Sequence, residues 1–102
     1  MDRRIDEKRE QIAVICRQYH VRSLALFGSA LGSEFDPVRS DLDFVVKFQP
    51  LPDGTRANTY FGLIEALEGL FQRHVDLVEA GSVRNPYFKQ EIESHQEPLY
   101  AA

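Results

Sequence analysis

The chain has 102 residues, 43% of them apolar and 27% charged, which suits one globular unit and argues against repeat arrays, collagen-like fibres and wholesale disorder. Sixteen acidic residues against twelve basic ones give a net charge of −4, which works against indiscriminate attraction to nucleic acid or anionic membranes. A polyanionic ligand must then be held locally, with metal ions. The longest uninterrupted apolar run, residues 12–16, falls far short of the roughly 20 residues that cross a bilayer. Residues 1–10 are densely charged and carry no secretory pattern, so a reduced cytoplasmic setting is expected. The lone cysteine, Cys16, sits in an apolar stripe and reads as a small buried hydrophobe.

Between residues 5 and 19 the positions Ile5, Ile12, Ile15, Cys16 and Tyr19 recur at helical spacing among Arg, Glu, Lys and Gln, which predicts an amphipathic first helix. Ser23-Leu24-Ala25-Leu26-Phe27 reads as a buried strand stopped by Gly28-Ser29. Ser29 can cap a short helix over Ala30 and Leu31 that Gly32 ends, followed by a polar loop over 33–40 with an Asp36-Pro37 breaker. Residues 41–48, Asp-Leu-Asp-Phe-Val-Val-Lys-Phe, predict a second strand, closed by the connector over 49–54. Tyr60, Leu63, Ile64, Leu67, Leu70 and Phe71 place a helix over 57–73, and its stripe belongs to the core. Residues 74–79 alternate polar and apolar up to Ala80-Gly81 and predict a third strand. Asn85 as cap and Pro86 as first helical residue open a last helix reaching Ser94, and Leu99-Tyr100 adds a short strand. With no internal repeat or dividing linker, the expected fold is α/β: a small mixed sheet with helices packed on it, one domain over 1–102.

Asp41 and Asp43 stand two apart at a strand start, so their side chains point to one face. Like charges that close repel unless a cation offsets them, and hard carboxylate oxygens suit magnesium or manganese. Asp76 faces away from Val75 and Leu77, so an adjacent strand would bring it beside the pair, and three carboxylates could hold two ions. Upstream, Gly28-Ser29 lies where a strand ends and a helix opens, a place whose free amides and dipole favour phosphate. Phosphate cradle and paired carboxylates together form a phosphoryl- or nucleotidyl-transfer layout.

Phe27-Gly28-Ser29, Ser40-Asp41-Leu42-Asp43-Phe44 and Val75-Asp76-Leu77-Val78 resemble the Gly-Ser, Asp-x-Asp and third-carboxylate pattern of minimal nucleotidyltransferases in the DNA polymerase beta superfamily. The resemblance spans nearly the whole chain, including Arg84-Asn85-Pro86-Tyr87 after the third strand. It implies a polymerase-beta-like palm in which Gly28 and Ser29 contact the phosphates of ATP and Asp41 and Asp43 ligate two magnesium ions. By the same resemblance Asp76 ligates one ion and helps deprotonate the incoming hydroxyl. Two features depart from the family pattern: eleven residues separate Ser29 from Asp41 where ten are usual, and Leu31 stands where an arginine commonly precedes the glycine. Small members of the family lack the domain that binds the acceptor, which points to a partner protein. The resemblance further implies the antitoxin of a HEPN/MNT toxin–antitoxin pair, transferring AMP to a tyrosine of its all-helical HEPN toxin. Neither a nucleic acid nor a membrane partner is expected, and a homo- or hetero-oligomer is compatible with this reading.

The competing class is a binding module that neutralises its partner by contact alone; nucleotidylation of a small molecule is a weaker reading, because no second domain forms a substrate pocket. Asp41 and Asp43 by themselves could merely cap a turn, and it is their spacing from Gly28-Ser29 and Asp76 that favours a site. Glu79 falls by alternation on the side of Val75 and Leu77 and is left out of the metal set. His20, His74 and His95 are scattered, which disfavours zinc and makes them surface or packing residues. A Walker-type loop is excluded, since no Lys-Ser or Lys-Thr follows Gly32. Asp41, Asp43 and Asp76 carry three of the four net negative charges, so the acidity belongs to one site more than to the surface.

Overall fold

The computed structural model describes residues 3–27, 42–82 and 84–102, residues 3 and 4 by their backbone alone. In chain order these form α1 (Arg3–Glu7), α2 (Arg9–Gln18), β1 (Val21–Phe27), β2 (Leu42–Phe48), α3 (Arg56–Phe71), β3 (Val75–Glu79), a 3-10 turn (Ala80–Ser82), α4 (Pro86–Ser94) and β4 (Gln96–Ala101). The expected short helix over Ala30 and Leu31 and the loop over 33–40 lie outside the described residues. The strands make one sheet in the order β3-β2-β1-β4, with β2 and β3 parallel and the other pairs antiparallel. This is the small mixed sheet with helices that the sequence predicts.

Two parallel neighbours cannot be joined by a hairpin, and α3 supplies the crossover between β2 and β3. The strand alternation decides which face α3 covers. Leu24, Leu26, Leu42, Phe44, Val46, Val75, Leu77 and Leu99 are buried in one cluster with Ile12 and Cys16 of α2 and Leu63 and Leu67 of α3. The opposite face holds a smaller cluster, Ala25 and Val45 under Ile92 of α4. Burying a single such side chain stabilises the fold by about 1.5–3 kcal/mol, so the larger cluster carries most of the stability. Gly62 sits inside α3 because Tyr19 packs on it: a Cβ there would lie 2.6 Å from the ring's Cε1.

The predicted first helix is two helices. At Lys8 the backbone leaves helical geometry (φ −101°, ψ 8°), and its N–H donates to the Ile5 carbonyl three residues back at 3.1 Å. That tighter turn separates α1 from α2. The crossover helix ends at Phe71, two residues before the predicted limit, because Gln72 turns left-handed (φ 57°, ψ 42°) and donates its N–H to the Glu68 carbonyl. β1 starts two residues earlier than predicted, with Val21 paired to Phe48 across an irregularity at Arg22. β4 is longer than the predicted pair, since it is laddered to β1 from Gln96 to Ala101.

The outer strands are not left bare. His74 offers its carbonyl to Leu42 of β2, so by alternation Val75 and Leu77 turn their backbone groups outward. There the Val75 N–H donates to Glu68 Oε2 at 3.0 Å and the Leu77 carbonyl accepts from the Tyr60 hydroxyl, both from α3. On the other edge Arg9 of α2 donates to the Pro98 carbonyl at 3.2 Å and pairs with Glu97, and Pro98 itself has no N–H to expose.

Candidate active site

Of the three predicted metal carboxylates, the two that fall within the described strands are brought together by register. Asp43 of β2 and Asp76 of β3 are direct partners across the parallel pair, with Leu42 opposite Val75 and Phe44 opposite Leu77 on either side. The flanking residues are buried in the main core, so both carboxylates stand on the other face of the sheet. A slip by one residue would drive an aspartate into that core, which pins the register. Neighbouring strands lie roughly 4.8 Å apart, close enough for two facing carboxylates to share one cation. Asp43 is half-buried, whereas the Asp76 side chain is 55% exposed and open to solvent.

Antiparallel pairing continues the site onto β1, where Phe27 is the partner of Asp43. The Phe27 ring meets Phe88 of α4 edge to face, with centroids 6.1 Å apart, and this sets the first turn of α4 at the carboxylate end of the sheet. Asn85 fixes that turn by accepting from the Tyr87 and Phe88 N–H groups. Tyr87 is 83% exposed beside it. Gly28 and Ser29 directly follow Phe27 in the chain, and Asp41 directly precedes Leu42; all three lie outside the described residues.

Among the described residues no three His, Cys, Asp or Glu side chains are gathered so as to hold a metal ion. Asp43 and Asp76 nevertheless present the hard oxygen donors, on one face, that a magnesium-type cation takes. Glu79 forms an ion pair with Arg56 of α3. A cavity of about 450 Å³ opens on the same side of the sheet, lined by Ala25, Val45, Lys47, Lys89 and Ile92 among others, but neither Asp43 nor Asp76 lines it.

One residue that the sequence reading set aside as surface or packing is His74. Its Nε2 lies 3.1 Å from Asp76 Oδ1 and its Nδ1 lies 3.2 Å from Glu68 Oε2. The signal available was the His-x-Asp spacing, which puts both side chains on one side of an extended segment. Cys16, by contrast, is the inert hydrophobe expected: it is fully buried, and burial pushes its thiol up to about 12 against a slight opposing pull from Arg17.

The family model described as nucleotidyltransferase domain matches residues 8–97, and the chain belongs to that family. Two proteins of Methanocaldococcus jannaschii, both provisionally named protein adenylyltransferases, are similar to it. One is 36% identical over 86% of each chain, the other 37% identical over 83% of each. Among solved structures, a protein provisionally named a minimal nucleotidyltransferase superposes with a TM-score of 0.73 at 28% identity, covering 92% of this chain and 91% of that one. The same fold occurs in a complex of tri-AMPylated Shewanella oneidensis HEPN toxin with MNT antitoxin, at a TM-score of 0.66 and 19% identity over 96% of this chain and 73% of that one. It occurs again in a toxin–antitoxin structure with AMP-PNP, at a TM-score of 0.68 and 22% identity over 92% and 73%.

Proposed function

We propose that this nucleotidyltransferase is a magnesium-dependent protein adenylyltransferase, which moves AMP from ATP to a tyrosine hydroxyl of a HEPN-type toxin and so acts as the antitoxin of the pair in the cytoplasm. The observation that carries the reading is the pairing of Asp43 with Asp76 across β2 and β3 on the face opposite the main core. The names of the related adenylyltransferases, and of the toxin–antitoxin complexes that share the fold, supply the acceptor class.

Asp41, Asp43 and Asp76 would hold the two magnesium ions. Bound magnesium supplies charge neutralisation of the triphosphate and polarisation of the bond to be broken. Gly28 and Ser29, at the end of β1, would hold phosphate oxygens through backbone amides and the serine hydroxyl. In the transfer itself the acceptor oxygen attacks the α-phosphorus of ATP, the bond to the bridging oxygen breaks, and pyrophosphate leaves. Asp76 takes the proton from the acceptor hydroxyl. The exposure of Asp76 suits that part, since the acceptor must arrive from solvent.

The test is incubation of the chain with labelled ATP, magnesium and the product of the neighbouring gene. The expected result is covalent label on that partner, lost in Asp41→Asn with Asp43→Asn while the unfolding midpoint is kept. Label transfer by the double variant would overturn the site, and tight binding without label would favour neutralisation by contact.

A further inference from the structure

We infer that His74, anchored by Glu68, is a positioning residue that orients the Asp76 carboxylate toward Asp43, an inference that rests on Asp76 being part of the metal site. The imidazole is held at both ends. Nδ1 faces Glu68 Oε2 at 3.2 Å and Nε2 faces Asp76 Oδ1 at 3.1 Å. Glu68 is itself fixed, because the same Oε2 accepts the Val75 N–H at 3.0 Å. A chain of contacts therefore runs from the last turns of α3, past the start of β3, to the carboxylate on the open face.

The need for such a chain follows from the exposure of Asp76. A short carboxylate that is 55% exposed, flanked by core residues on its own strand, has little packing to fix its rotamer. The Nε2 contact on Oδ1 fixes it and leaves the second oxygen, Oδ2, to a cation. Hydrogen-bond partners of metal-ligating groups commonly act in this way, setting the ligand's orientation. An ion pair that served the surface alone would contribute little to stability and nothing to metal affinity.

Side-chain geometry separates these roles. The amide nitrogen of glutamine falls where the imidazole Nε2 does, and that of asparagine where Nδ1 does, so His74→Gln keeps the donor to Asp76 while His74→Asn keeps only the link to Glu68. Manganese affinity of the whole chain, measured by paramagnetic resonance titration without nucleotide, is expected to fall about tenfold in His74→Ala and His74→Asn and to recover in His74→Gln. The rate of AMP transfer at saturating manganese follows the same order, with unfolding midpoints near that of the unaltered chain. Equal behaviour of the Asn and Gln variants, or manganese binding in His74→Ala as tight as in the unaltered chain, would overturn the inference. Asp43→Asn and Asp76→Asn run beside them as a control on the site. If both bind manganese normally the metal site itself fails, whereas if they lose it and His74→Ala does not, only the positioning role fails.

Discussion

Cys16 shows how little chemistry a potentially reactive side chain has once it is enclosed. Its thiol is pushed from an ordinary 9.0 up to about 12 by burial, so the native chain keeps the proton that an unfolded chain gives up. The resulting stability is fully present below pH 9 and is lost as the pH rises toward 12, because only the unfolded state ionises in that window. Denaturant midpoints measured from pH 8 to 11 are expected to fall more steeply for the unaltered chain than for Cys16→Ala, even though the variant starts about 1 kcal/mol less stable. Parallel slopes would contradict this. Single residues were legible in the sequence where their neighbours announced them. Asp43 and Asp76 each stand between apolar strand residues, and alternation alone sends them to the face away from the core. His74 was not legible in the same way, since its second partner, Glu68, reaches it only after the left-handed turn at Gln72 folds α3 back onto β3.

At the level of elements, α4 depends on its first turn. Asn85 satisfies two N–H groups that the helix would otherwise leave open, and Pro86 follows where a missing N–H costs nothing. Asn85→Ala is expected to cost about 1 kcal/mol in denaturant unfolding and Asn85→Asp far less, with an unchanged alanine variant as the contrary result. Since α4 carries Phe88 against Phe27 and Ile92 against Val45, the same loss loosens the cover beside the carboxylates. This start was readable because cap and proline are local signals. The break at Lys8 was not: apolar periodicity runs through it unaltered, and the boundary is marked only in the backbone, by the φ and ψ of Lys8 and its hydrogen bond back to Ile5. Strand pairing was also hidden, since parallel β2 and β3 are set by where α3 returns the chain.

Across the whole molecule the helices do two jobs with one set of side chains. α3 seals the main core with Leu63 and Leu67, and from the same helix Tyr60 and Glu68 answer the outward groups of β3. Tyr60→Phe leaves the ring in place and removes only the donor to the Leu77 carbonyl. It is expected to lower stability by about 1 kcal/mol and to raise light scattering on concentration, as an edge acceptor is uncovered. A variant as stable and as monodisperse as the unaltered chain would argue against the edge role. Arg9 serves β4 in the same way, tying α2 to Pro98 and Glu97.

Those answered edges bear on how a protein of this kind can change. Where the Val75 N–H and the Leu77 and Pro98 carbonyls are engaged by the molecule's own helices, those edge groups are closed to a second protein, whereas side chains such as those of exposed Phe61 and Tyr87 stay available. Such residues can be exchanged one at a time without disturbing the ladder that holds Asp43 against Asp76. Change at such surface positions is thereby uncoupled from preservation of the proposed reaction centre, whose carboxylates stay in register.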